Sequence, residues 1–198
     1  MPGEESLVLG RRLAHEFDLT LHAFRYSAAS TGMSSITASL AEFVRELAAP
    51  EVHFVGHSLG GLVIHRFLER FPEQPPGRVV FLGTPSVASR AAEHAARFAP
   101  IAHLMGRSVA EELLQPRERR WTHGNPLGIV AGTQRIGFGQ LLAHFREDND
   151  GTIAVSETRM PGATDHIVLP VSHLAMLVSP RVAQETGLFL TQGHFSLR

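Results

Sequence analysis

Cysteine is absent from the 198 residues, so the chain can build neither a disulfide framework nor a thiolate metal site, and a thiol nucleophile is excluded. Charge of one sign is lacking too. Eighteen basic residues nearly balance 19 acidic ones, for a formal net charge of −1. This leaves no electrostatic footprint for nucleic acid or for an anionic membrane surface. No apolar run approaches the ~18 residues of a membrane span, and Met1-Pro2-Gly3-Glu4-Glu5 lacks the basic-then-apolar pattern of a signal peptide. The sequence reads as a soluble, untargeted chain, expected in a reducing compartment such as the cytoplasm. Histidines are plentiful, 12 in all, but they are scattered and none stands in H-E-x-x-H spacing. No metal or organic cofactor is expected.

What is present is an ordinary globular composition, 43% hydrophobic and 19% charged, at a length that suits one domain over 1–198. Leu7, Val8, Leu9, Leu13 and Phe17 recur at helical spacing behind Glu4-Glu5 and predict a helix over about 5–17. The alternating segment 19–26 predicts a strand. A second amphipathic helix, marked by Ile36, Leu40, Phe43, Val44 and Leu47, stops near Pro50. Then come a strand at 52–55, a helix over 62–71 and a buried strand at 79–82. Further strands are expected at 127–133 and 166–171, and a closing helix over about 174–186. Strands alternating with helices predict an α/β fold, a mostly parallel sheet with helices on both faces, because parallel neighbours need crossover connections. Residues 86–126 break this rhythm. They read either as an ordinary crossover packed on the sheet or as a helical cap, in which case Phe98, Leu104 and Met105 would line a substrate pocket.

Chemistry concentrates where the strand at 52–55 runs into Gly56-His57-Ser58-Leu59-Gly60-Gly61 and then directly into a helix. A strand, a tight turn of the G-x-S-x-G kind and a helix form a nucleophile elbow, with Ser58 at its apex. The small residues two before and two after the serine, Gly56 and Gly60, avoid collisions with the neighbouring elements. The helix that follows aims its first amides and positive dipole end at charge developing near Ser58, so the Leu59 N–H is the expected oxyanion donor. His57, inside the elbow, is expected near the substrate pocket.

The Gly-His-Ser-Leu-Gly-Gly string in this context resembles the α/β-hydrolase family, in particular small bacterial lipase- and esterase-like members, and the resemblance runs along nearly the whole chain. It implies a catalytic acid and a histidine that follow the serine, each on a loop at the carboxyl end of a strand. Asn149-Asp150-Gly151 resembles the acid loop and Val171-Ser172-His173-Leu174 the histidine position, which makes Asp150 the acid and His173 the base. Asp165 is the competing acid, but it precedes the last strand and so should lie at the opposite end of the sheet. His166 and His194, the competing bases, sit at a strand start and in a tail. Phe81-Leu82-Gly83-Thr84-Pro85 is similar to a further family segment, which commonly continues with histidine where this chain has Ser86.

The family pattern also puts a strand ending in His-Gly before the first helix, central in the sheet, whose loop supplies a second oxyanion donor. No such segment precedes Glu4. Either residues lie upstream of Met1, which the abrupt start of the motif favours, or the strands flanking the gap pair directly. The activity that the resemblance implies is hydrolysis of a small-molecule carboxylic ester or thioester through an acyl-enzyme on Ser58. An acyltransferase with the same triad and a non-catalytic binding domain of the same fold are the alternatives.

Overall fold

The computed structural model describes residues 4–27, 31–87, 119–136 and 147–196. The cap expectation for 86–126 falls outside them over 88–118, which includes Phe98, Leu104 and Met105. The described elements are α1 (Glu4–Phe17), α2 (Met33–Leu47), β1 (Phe54–His57), α3 (Leu59–Arg70), β2 (Val79–Leu82), β3 (Leu127–Gly132), the short helix α4 (Val155–Thr158), β4 (Asp165–Leu169), a 3₁₀ turn (Leu174–Leu177) and α5 (Pro180–Gln192).

The four strands form one sheet in the order β1-β2-β3-β4. All three pairings are parallel: Phe54 lies beside Val79, Val79 beside Leu127, and Gly128 beside Asp165. The two central strands, Val-Val-Phe-Leu and Leu-Gly-Ile-Val-Ala-Gly, are buried at every position, which is why they read as unbroken apolar runs. β4 is an edge, and its burial alternates so that Ile167 and Leu169 point inward while Val168 faces solvent.

Alternate residues of the strands feed two cores. On one face Val79, Phe81, Leu127 and Ile129 pack with Ile36, Leu40 and Val44 of α2 and with Val63, Phe67 and Leu68 of α3. On the other, Val80, Leu82, Val130, Ile167 and Leu169 pack with Leu9 and Leu13 of α1 and with Val182, Phe189 and Leu190 of α5. A side chain of this size removed from water contributes roughly 1.5–3 kcal/mol. These two layers hold the sheet, and through it the strand ends that carry the site. Helices on both faces of a parallel sheet are as the sequence predicts.

Two expectations need correction. Residues 19–26 form no strand. A strand exists only where a neighbour completes its ladder, and in the described structure this segment does not pair with β1. Leu19, Phe24 and Tyr26 are half-buried without a ladder, and the rest of the segment is exposed: Phe24 packs at 5.5 Å from Phe43 of α2 and at 5.9 Å from Tyr26. Direct pairing of the two strands flanking the gap is thereby overturned as well. The closing helix begins at Pro180, not near 174. Ser179 caps it by accepting from the Val182 N–H at 3.3 Å, Pro180 occupies the first turn, and Gly193, at φ +85°, ends it. Proline at the first position and glycine past the last are the usual limits of a helix.

Candidate active site

β1 delivers the chain to Ser58 at the carboxyl end of the sheet, and α3 starts one residue later. To make that change of direction Ser58 adopts φ +54°, ψ −123°, a conformation outside the regions open to L-residues, costing on the order of 1–3 kcal/mol. The surroundings impose it. The Ser58 N–H donates to the Leu82 carbonyl at the end of β2 (2.9 Å), and the Ser58 carbonyl accepts from Thr84 Oγ1 (3.0 Å) and from the Gly61 N–H (3.1 Å). A side chain on Gly56 would put its Cβ 2.5 Å from the Gly61 nitrogen, so the tight packing of strand on helix requires glycine there.

Serine before a helix ordinarily caps it through its hydroxyl. Ser58 does not: its side chain makes no cap bond. The hydroxyl is left for other chemistry, while the Leu59 N–H is among the amides of the first turn that lack an intrahelical acceptor.

Asp150 follows β3 and His173 follows β4, and the structure brings them together. His173 Nδ1 donates to Asp150 Oδ2 at 2.7 Å, with side-chain exposures of 8% and 1%. The other carboxylate oxygen, Oδ1, accepts the N–H groups of Thr152 (2.9 Å) and Ile153 (2.7 Å). Both oxygens are thus committed, which fixes the carboxylate plane. The backbone is bound as well, since the His173 N–H donates to the Asp150 carbonyl at 2.9 Å. Gly83, at φ +55°, passes beside this pair; a Cβ there would lie 2.9 Å from both Asp150 Oδ2 and His173 Nδ1.

His57 turns its Nε2 toward the His173 carbonyl at 2.9 Å, and the two imidazoles stand 4.5 Å apart between centroids. Burial, with His173 next to it, pushes the His57 imidazole down to about 4. At neutral pH it is uncharged, and because a carbonyl only accepts, its proton sits on Nε2. Among the described residues no hydrogen bond joins the Ser58 hydroxyl to His173.

The competing residues are occupied elsewhere. Asp165 opens β4 at the other end of the sheet, where its carboxylate accepts the N–H groups of His166 (2.9 Å) and Phe195 (3.0 Å). His166 Nε2 meets Thr158 Oγ1 at 2.9 Å, and burial, more than the nearby Arg159, lowers its pKa. His194 Nδ1 lies 3.1 Å from the Phe195 carbonyl. Ser86 is buried, its hydroxyl donating to the carbonyls of Glu157 and Arg159. The contacts that sequence reasoning missed are those of Thr84, Gly83 and the His57 ring. Each joins segments far apart in the chain, and only Leu82-Gly83-Thr84-Pro85 left a local signal, as the end of a strand.

Among the described residues no group of three or more histidine, aspartate or glutamate side chains is placed to hold a metal ion, and no helix is long and apolar enough to cross a membrane.

No protein-family model and no curated relative matches the sequence. Solved structures do match in shape. The mature lipase BlEst2 of Bacillus licheniformis superposes with a TM-score of 0.61 at 22% identity, over 80% of this chain and 71% of that one. Its propeptide form gives 0.63 at 22%, over 84% of this chain but only 41% of the longer one. The pyrethroid hydrolase PytH gives 0.61 at 16%, over 96% and 94%. At such identities the likeness concerns architecture alone, and the parallel sheet, the helices on its two faces and the elbow after β1 agree with it: this chain has the α/β-hydrolase fold.

Proposed function

We propose that this chain is a serine hydrolase of carboxylic esters or thioesters, with Ser58 as nucleophile, His173 as general base and Asp150 as its orienting acid. The observation that carries the reading is the buried 2.7 Å bond between His173 and Asp150, at the same end of the sheet as a serine whose backbone is strained and whose hydroxyl caps nothing. Strain of this kind persists only where the surroundings over-determine it, and it gathers at functional sites.

In the proposed reaction the Ser58 hydroxyl attacks the substrate carbonyl while His173 Nε2 takes its proton. Asp150 holds the proton of Nδ1 in place and stabilises the imidazolium that forms. Charge gathering on the carbonyl oxygen is met by the Leu59 N–H at the positive end of α3. His173 then protonates the leaving alcohol or thiol, giving the acyl-enzyme, and water deprotonated by the same histidine releases the acid. In this proposal the hydrogen bond between Ser58 and His173 forms when substrate binds, as catalytic hydrogen bonds of empty sites commonly do. Of the two imidazoles near Ser58, His57 is the poorer base. It has no carboxylate partner, and burial keeps it neutral.

The test is covalent labelling with a fluorophosphonate, followed by turnover of p-nitrophenyl esters of rising chain length. Labelling that disappears in Ser58→Ala, with release of free acid, is the expected result. An unlabelled but folded chain would point to a binding domain, and transfer of the acyl group to an added alcohol in preference to water would point to an acyltransferase.

A further inference from the structure

We infer that His57 is a positioning residue, a strap from the nucleophile's strand to the backbone of His173 that sets the direction of the proposed base. The inference rests on the hydrolase reading for its catalytic meaning but not for its geometry.

β1 and β4 are the two edges of the described sheet, with β2 and β3 between them. Ladder hydrogen bonds fix the spacing of neighbouring strands only. The register of three successive pairings, each with its own play, would therefore decide how far Ser58, after β1, stands from His173, after β4. A direct bond removes that accumulation of error. The bond from His57 Nε2 to the His173 carbonyl spans 116 residues of sequence and joins the two edges at the site.

It also completes the fixation of His173. The His173 N–H is held by the Asp150 carbonyl at 2.9 Å, its ring by Asp150 Oδ2 at 2.7 Å, and its carbonyl by His57 at 2.9 Å. With both peptide groups and the ring bound, the imidazole cannot rotate without breaking one of these bonds. Because His57 precedes Ser58 directly, the strap measures the gap between nucleophile and base from one residue away. The neutral state of His57 serves the same end. A charged ring 4.5 Å from His173 would repel the imidazolium formed on proton transfer.

Two substitutions of equal side-chain length isolate the bond. His57→Gln keeps a donor near the position of Nε2; His57→Met keeps the length without a donor, on an unbranched side chain that adapts to its cavity. In His57→Met the rates of fluorophosphonate labelling and of kcat for a p-nitrophenyl ester are expected to fall by about tenfold or more, with KM little changed. In His57→Gln most of the rate is expected to return. Equal losses in both, or a change in KM alone, would overturn the strap and make His57 part of the pocket wall. A second measurement does not depend on activity. Long-range proton–nitrogen correlation spectra, assigned with His57→Gln and His173→Gln, report which nitrogen of each ring bears hydrogen. In the unsubstituted protein His57 should bear it on Nε2 and His173 on Nδ1. Hydrogen on Nδ1 of His57, which leaves Nε2 without a proton to donate to the His173 carbonyl, refutes the inference. If the expected tautomers appear in a chain that no fluorophosphonate labels, the strap stands and the hydrolase reading falls.

Discussion

Replacing Asp150 with asparagine tests the proposed triad with the smallest change of shape. Asp150 Oδ1 accepts two backbone N–H groups, from Thr152 at 2.9 Å and Ile153 at 2.7 Å, and Oδ2 accepts from His173. An asparagine has one oxygen for these three donors. Turned with its oxygen to the backbone, it points its NH₂ at His173 Nδ1. Turned the other way, it sets NH₂ against two N–H groups and leaves both unsatisfied, at about 1–3 kcal/mol each. The first orientation wins. His173 Nδ1 must then accept, so its proton moves to Nε2, the nitrogen that should receive the proton of Ser58. The fold is retained while the base is held in the wrong tautomer, for which a fall of about 10⁴ in turnover is expected. The assay is the second-order rate of fluorophosphonate labelling beside p-nitrophenyl ester turnover, with circular dichroism to check the fold. Labelling of a folded Asp150→Asn protein within about tenfold of the unaltered rate would refute the reasoning.

Other expectations follow from the same geometry. Gly83→Ala would put a methyl group 2.9 Å from both members of the acid–base pair, at a backbone angle of φ +55°. The backbone term alone costs about 1–2 kcal/mol, so both the melting temperature and the labelling rate should fall, and an active, fully stable variant would contradict this. Asp165→Ala removes the acceptor of the His166 and Phe195 N–H groups at the far end of the sheet. It should lower the unfolding free energy measured by denaturant by about 1–2 kcal/mol and leave the labelling rate of the folded protein intact; a collapse of labelling would restore Asp165 as the acid. Acid should also weaken the fold. Burial first, and then the neighbouring His173, depress His57 from 6.5 to about 4, and burial depresses His65 in the same direction. Below about pH 6.5 the unfolded chain takes up protons that the native state refuses, so this stability is complete above about pH 6.5 and is lost as pH falls toward about 4. Unfolding free energies from urea titrations at about pH 7.5 and about pH 5.5 should differ by about 1 kcal/mol from His57 alone, less in proportion to the solvent reaching its ring. Identical values would show these histidines to be free to ionise.

The legibility of this chain depends on how local each determinant is. β2 was readable to the residue because burial on both faces writes itself as Val-Val-Phe-Leu. The elbow was readable because its steric demands fall within five consecutive residues, and the choice of Asp150 over Asp165 followed from which end of a strand each occupies. Segment 19–26 misled because its alternation is real and its Phe24 and Tyr26 are packed, while strand formation depends on a partner elsewhere. The start of α5 was missed although Ser179-Pro180 spells a cap and a first turn; the apolar periodicity of 174–177, a 3₁₀ turn in the structure, outweighed it. Nothing in the sequence announces that His57 meets His173. That contact exists only after the sheet has brought its edges together.

The all-parallel register has a further consequence, in time instead of space. Phe54 waits for Val79, Val79 for Leu127 and Gly128 for Asp165. Among the described residues no hairpin nucleates the sheet, and contacts so distant in sequence make for slow folding. A nascent chain therefore displays Ser58 and its elbow long before β4 has emerged to carry His173 into place. During unfolding, loosening of the edge strand β4 alone would detach the histidine while β1, with the Ser58 N–H bound to the Leu82 carbonyl of β2, still carries the serine. A chain in that state would keep most of its helix and sheet signal and have no proposed base beside its proposed nucleophile, so loss of labelling should precede loss of structure along a denaturant series.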